Sequence, residues 1–164
     1  MKKKFNTFKW FLLTGFFSGL LPKAPGTWGS VVGVIIAYLV ILFMPNPNLT
    51  ILLLAVLFTI IGYKLTNEYE ATVTIHDDKR IVIDEIAGVL ISIGVLGDLK
   101  HDTFLKLVLA FIAFRLFDIW KPSIIGKIDE KAPGGLGVMG DDVVAGAFGG
   151  ILAGILYIAY LKIQ

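Results

Sequence analysis

The chain contains no cysteine. That excludes disulfides, a thiolate nucleophile and cysteine-ligated zinc. Charge is also scarce: Asp, Glu, Lys and Arg make up 17% of the 164 residues, against about a quarter in a soluble domain. Histidine is confined to His76 and His101, in separate polar stretches without a partner at metal-ligand spacing, so both read as surface residues. A net charge of +2 with no basic-aromatic ladder argues against a nucleic-acid partner.

Apolar residues fill the space that charge leaves. They make up 56% of the chain, and the mean hydropathy is +0.81. This is the composition of an integral membrane protein, and the length suits one membrane-embedded domain, residues 1–164. Lys2, Lys3 and Lys4 precede an apolar run as in a secretory leader, but no A-x-A-like cleavage site follows. The segment is therefore expected to be retained.

The spacing of charges divides the chain. Between Lys9 and Lys23 lies the apolar run Trp10 to Pro22. As a helix it would reach roughly 20 Å, too short for a hydrocarbon core of roughly 30 Å. It is predicted to lie at the interface or to re-enter. Ala24 to Tyr63 carries no charge and is split by Pro45-Asn46-Pro47-Asn48, which predicts a hairpin of two spans, Thr27 to Met44 and Leu49 to Tyr63. Both look short, so little tilt is expected. Polar Lys64 to Arg80 can prolong the second helix into water. Further spans are expected over Ile81 to Leu96, Thr103 to Trp120 and Val143 to Leu161. Ser123 to Asp142 reads as a loop or a broken segment. The expected fold is all-α: a compact bundle of about five membrane helices plus a short N-terminal interfacial or re-entrant helix.

With the N-terminus inside and alternating spans, all but Lys100, Lys106 and Lys162 of the 15 Lys and Arg residues fall on the cytoplasmic side. The same topology gathers Pro22 to Ser30, Asp77 to Glu85, Arg115 to Lys121 and Asp129 to Asp142 at that surface. The opposite loops, Pro45 to Asn48 and Gly97 to Asp102, are short and plain.

Those four segments hold the candidate chemistry. Gly134-Gly135-Leu136-Gly137-Val138-Met139-Gly140 leads into Asp141 and Asp142. Glycines such as Gly135 let backbone approach a phosphate closely, and the two carboxylates can hold a hard cation. An Asp N-cap in a flexible loop is the plainer alternative. Asp84 and Glu85 stand inside an apolar run, where ionisable groups are costly. On a helix they point about 100° apart, which suits separate service to metal and water better than a shared ion. Arg115, Asp118 and Lys121 share a helix face, either as a phosphate and metal site or as an ion pair followed by an anchoring lysine. Thr27 and Ser30 can cap a helix or donate to a phosphate at its N-terminus. Asp77, Asp78 and Asp129 read as solvated.

Four blocks of this sequence resemble the phosphatidylglycerophosphatase A family. They are Thr14-Gly15 to Ser18-Gly19 with Pro22 and Pro25-Gly26-Thr27-Trp28-Gly29-Ser30; Asp78 with Ile83-Asp84-Glu85-Ile86-Ala87-Gly88; Phe114-Arg115-Leu116-Phe117-Asp118-Ile119-Trp120-Lys121-Pro122; and Gly134 to Gly146. Phe16-Phe17 and Ile124 depart from the pattern, at uncharged positions. The resemblance implies a Mg²⁺-dependent phosphatase in the bacterial inner (cytoplasmic) membrane, its active site facing the cytoplasm. Its substrate would be the phospholipid phosphatidylglycerol phosphate. It also implies metal or acid-base roles for Asp84, Glu85, Asp118, Asp141 and Asp142, and phosphate contacts from Arg115 and Lys121, beside the Thr27 and Gly135 donors. The competing class is a small ion-binding or transport protein, which would need a polar path across the charge-free spans.

Overall fold

A computed structural model describes residues 5–73, 78–122, 125 and 134–164. His76, Asp77 and Asp129 lie outside the described residues. Among those described there are six α-helices and no strand: α1 (Thr7–Leu13), α2 (Pro25–Phe43), α3 (Pro47–Glu70), α4 (Ile83–Gly94), α5 (Thr103–Trp120) and α6 (Gly135–Ile163). The expected short N-terminal helix is α1, and the expected bundle is α2 to α6.

Prolines start the first long helices. Pro25 and Pro47 stand in the first turns of α2 and α3, where the missing N–H costs nothing. Among the described residues, three helices, α2, α3 and α6, are long and apolar enough to cross a membrane. Their outer faces carry large exposed apolar side chains, among them Leu42, Leu53, Leu57, Ile151 and Ile155. Lipid is the solvent that such a surface suits.

Three expectations are corrected. First, α4 has 12 residues and ends at Gly94, so at about 1.5 Å per residue it does not cross a bilayer by itself. It is instead the buried axis of the bundle, packed by α2, α3, α5 and α6, with Ile83, Ile86, Val89, Leu90 and Ile93 fully buried. Second, α6 runs to 29 residues, longer than the span read from its charge-free run, while α3 continues past Tyr63 to Glu70 as expected. Third, the glycine run from Gly135 onward is helix rather than loop. Its glycines serve packing: a Cβ on Gly135 would lie 3.2 Å from the Tyr63 Cα of α3.

Small residues also bring α4 and α6 into backbone contact, as helices in lipid require. A Cβ on Gly146 would sit 3.0 Å from the Gly88 carbonyl carbon, and one on Gly150 would sit 2.8 Å from the Ser92 oxygen. Leu96 meets Gly154 one turn further on. The register advances four residues on both helices together, so α4 and α6 run parallel.

The end away from the candidate site is less plain than its sequence. Buried Lys106 donates to the carbonyls of Asp98 and His101 and lies 4.3 Å from the Tyr157 ring centre. The Asn48 side-chain amide donates to the Leu96 carbonyl at 2.5 Å. These contacts close the bundle around the α4–α5 turn. His101 is exposed, as expected.

Candidate active site

The α4–α6 register fixes the site. One turn before Gly88 stands Asp84, and one turn before Gly146 stands Asp142. The close crossing therefore brings two carboxylates from different helices to the same level. Glu85 joins them: oxygens of Asp84, Glu85 and Asp142 all lie within 4.8 Å of one another. This overturns the expectation that Asp84 and Glu85 diverge too far to share an ion. Both stand in the first turn of α4, where the helix dipole favours negative charge.

These carboxylates are unsatisfied. Asp84 Oδ1 and Glu85 Oε2 are buried and have no hydrogen-bond partner. Burying such oxygens without compensation is expensive. Three convergent carboxylates, two of them with an unsatisfied buried oxygen, fit a hard divalent cation.

Helix α5 supplies the opposite charge. Arg115 pairs with Asp118 one turn along the helix, both largely shielded. At the C-terminus of α5, Lys121 adopts a left-handed conformation (φ 44°), and its N–H bonds to the Phe117 carbonyl at 2.9 Å. That turn aims its ammonium at Asp141 Oδ2, 2.8 Å away. Each cation is thus held by a carboxylate. Lys121 keeps 33% of its side chain exposed, enough to meet an incoming anion.

All four segments expected to share one surface contribute to a single cavity of about 380 Å³. Its lining includes Ala24, Pro25 and Gly26 from the start of α2; Lys79, Asp84 and Glu85; Arg115, Asp118 and Lys121; and Asp141 and Asp142. At Gly26 the backbone approaches so closely that a Cβ would collide with Glu85 Oε1 and lie 3.2 Å from Arg115 Nη1.

Other predicted residues fall elsewhere. Thr27 is in the first turn of α2 beside the cavity but does not line it. Neither Thr27 nor Ser30 caps α2: the N-cap is Ala24, without a side-chain bond, and Ser30 donates to the Gly26 carbonyl. Gly135 donates its N–H to Asn67 Oδ1 at 2.9 Å and lies outside the cavity lining. Asp141 and Asp142 are no N-cap either, since α6 begins at Gly135 and both are buried within it.

Asp78 is buried, not solvated. It accepts from Tyr69 Oη at 2.7 Å, Arg80 Nη2 at 2.5 Å and Arg80 Nε at 2.9 Å. Hydrogen bonding from the Arg80 guanidinium holds its carboxyl down at about 2. Arg80 also sits over the Trp10 ring, 5.0 Å from its centre. The cluster ties α1 and α3 to the segment that leads into α4. Lys79 is the cavity cation that sequence reasoning passed over, because the positive-inside pattern already accounted for it.

Fold and site together define a helical membrane protein with a carboxylate and cation cavity at one end of its bundle. The phosphatidylglycerophosphatase A family profile matches residues 11–157, and the chain belongs to that family. A phosphatidylglycerophosphatase A of Haemophilus influenzae is 38% identical over 84% of this chain and 81% of its own length. One of Escherichia coli is 38% identical over 90% of this chain and 81% of its own. A putative phosphatidylinositol-3-phosphatase of Bacteroides thetaiotaomicron is 39% identical over 87% of this chain and 89% of its own. No solved structure matches the chain significantly.

Proposed function

We propose that the chain is a Mg²⁺-dependent lipid phosphatase that hydrolyses phosphatidylglycerol phosphate to phosphatidylglycerol and inorganic phosphate. One observation carries this reading: three carboxylates from two helices converge, Asp84 and Glu85 each with an unsatisfied buried oxygen, in a cavity that also holds Arg115 and Lys121. The names of the Haemophilus and Escherichia relatives support the substrate.

Asp84, Glu85 and Asp142 would hold the ion. When bound, Mg²⁺ supplies charge neutralisation at the phosphate and lowers the pKa of a water. Arg115 and Lys121 bind the phosphoryl oxygens and stabilise the charge that grows on them in the transition state. Asp118 and Asp141 position these two cations through the pairs described above. Glu85, which also lines the cavity, accepts the proton of the attacking water. The water oxygen bonds to phosphorus, the bond to the glycerol oxygen breaks, and that oxygen takes the proton that Glu85 accepted.

The distribution of Lys and Arg supports a cytoplasmic placement for the cavity in the bacterial inner membrane. Ion transport is disfavoured. The described carboxylates of the site gather at one end, and the Lys106 contacts close the other.

The Bacteroides relative motivates a second reading, a phosphoinositol headgroup. The test measures phosphate release from phosphatidylglycerol phosphate and from phosphatidylinositol 3-phosphate in detergent micelles, with Mg²⁺ or EDTA. Mg²⁺-dependent release from the first substrate is expected. Release from the second alone would reassign the headgroup, and release from neither would refute the phosphatase reading.

A further inference from the structure

The cavity that would take a phosphate opens along α5 onto an apolar groove. Helices α2 and α5 run antiparallel, with Pro25 and Lys121 at the site end of each. Further along they leave a groove of about 540 Å³ between them, lined by Val31, Val34 and Tyr38 of α2 and by Val108, Phe111 and Ile112 of α5, among others. Spacings of three, four and seven residues put Val31, Val34 and Tyr38 on one face of α2, and spacings of three and four do the same for Val108, Phe111 and Ile112 on α5. Every side chain in the lining is aliphatic or aromatic.

A third hollow joins the two. It is lined by Ile112, Arg115, Leu116, Ile119 and Trp120. Ile112 belongs also to the groove, while Arg115 and Ile119 belong also to the polar cavity. The path from Arg115 to Phe104, at the far end of the groove, covers eleven residues of α5, or roughly 16 Å. The apolar hollow between α3 and α6 shares no lining residue with the polar cavity. Through the shared hollow, the α2–α5 groove is continuous with the phosphate-binding end.

We propose that this groove holds one acyl chain of the phospholipid whose phosphate enters the cavity, so that α2 and α5 select the substrate's chain length. The proposal rests on the lipid phosphatase reading. Apolar contact along the groove stabilises the bound lipid in proportion to the area covered. The Ile112–Arg115–Ile119 stretch of α5 marks the change from chain to headgroup.

Two measurements test it. In the first, the full-length protein in phosphatidylglycerol vesicles binds phosphatidylglycerol phosphate carrying a diazirine on one acyl chain, and crosslinks are mapped by mass spectrometry. Crosslinks concentrated at Val34, Val108 and Phe111 over Leu53 of α3 and Ile151 of α6 are expected. An even spread over all lipid-facing helices overturns the proposal. In the second, Val108→Trp fills the groove. The ratio of kcat/KM on a long-chain substrate to that on a chain-free glycerophosphate analogue should fall roughly tenfold. Leu53→Trp should leave that ratio alone, and an equal ratio in both variants overturns the proposal. The crosslink pattern does not depend on turnover. An even spread with normal phosphate release removes the groove alone, whereas groove crosslinks without release remove the phosphatase reading alone.

Discussion

Asp84 and Asp142 stand level with each other because each lies one turn before a glycine in a backbone-to-backbone crossing, Gly88 on α4 and Gly146 on α6. A Cβ on Gly88 would sit 2.5 Å from the Phe114 ring and 2.8 Å from the Asp142 carbonyl oxygen. The crossing, more than the loop before it, sets the distance between the carboxylates. Gly146→Leu should therefore separate α4 from α6, lowering stability by about 1–3 kcal/mol and abolishing activity. Thermal unfolding in detergent, read beside phosphate release, checks both effects. Unimpaired turnover would show that the crossing does not position the carboxylates.

Metal and carboxylates should respond together. If Mg²⁺ binds the folded state, it should raise the unfolding temperature of the wild-type protein. Asp84→Asn removes one ligand and one of three crowded negative charges. The variant should melt at or above the wild type in EDTA, gain little from Mg²⁺, and lose activity by at least ~100-fold. A full Mg²⁺-induced shift in the variant would count against Asp84 as a ligand.

The two cations are not interchangeable with their nearest substitutes. Arg115 pairs with Asp118, and its planar fork could meet a phosphate at the same time, which a lysine could not reproduce. Arg115→Lys is expected to cost roughly 10- to 100-fold in kcat/KM. Lys121→Met should cost at least as much, since it also removes the ion pair that buried Asp141 makes with Lys121. Steady-state kinetics on the same lipid substrate separates the two.

Asp78 makes a prediction about stability alone. Its carboxyl is held at about 2 by Arg80, below the ordinary value of about 4. A depressed carboxylate stabilises the fold at pH values above its unfolded-state pKa. That contribution is lost as pH falls from about 4 through about 2. Asp78→Asn should cost about 1–3 kcal/mol at neutral pH and flatten the loss of stability over that acidic window. Unfolding temperatures of both proteins from pH 7 down to pH 3 provide the check.

The sequence revealed the site more readily than the path of the backbone. Charges inside an apolar run pointed to Asp84 and Glu85, and the carboxylates after the glycine run to Asp141 and Asp142; of these, Asp84, Glu85 and Asp142 converge. The four charged or glycine-rich segments expected on one surface do share a cavity. The glycine run before Asp141 misled, because glycine signals both a turn and a close helix crossing, and only the neighbouring helix decides between them. Gly135 needed Tyr63 of α3 to be understood. Likewise Asp78 reads as solvated until Tyr69 at the end of α3 and Trp10, distant in sequence, are seen around it and its partner Arg80. The 12-residue α4 escaped for a related reason: its apolar flanks, Ile81 to Leu96, continue past the helix into buried turns.

The most direct test is phosphate release from phosphatidylglycerol phosphate by the wild type and by Asp142→Asn, each folded in detergent, across a Mg²⁺ titration. The account predicts saturable Mg²⁺ activation of the wild type and a loss of at least ~100-fold in the variant that added Mg²⁺ does not restore. Equal turnover in the two proteins, or wild-type turnover undiminished in EDTA, would contradict it.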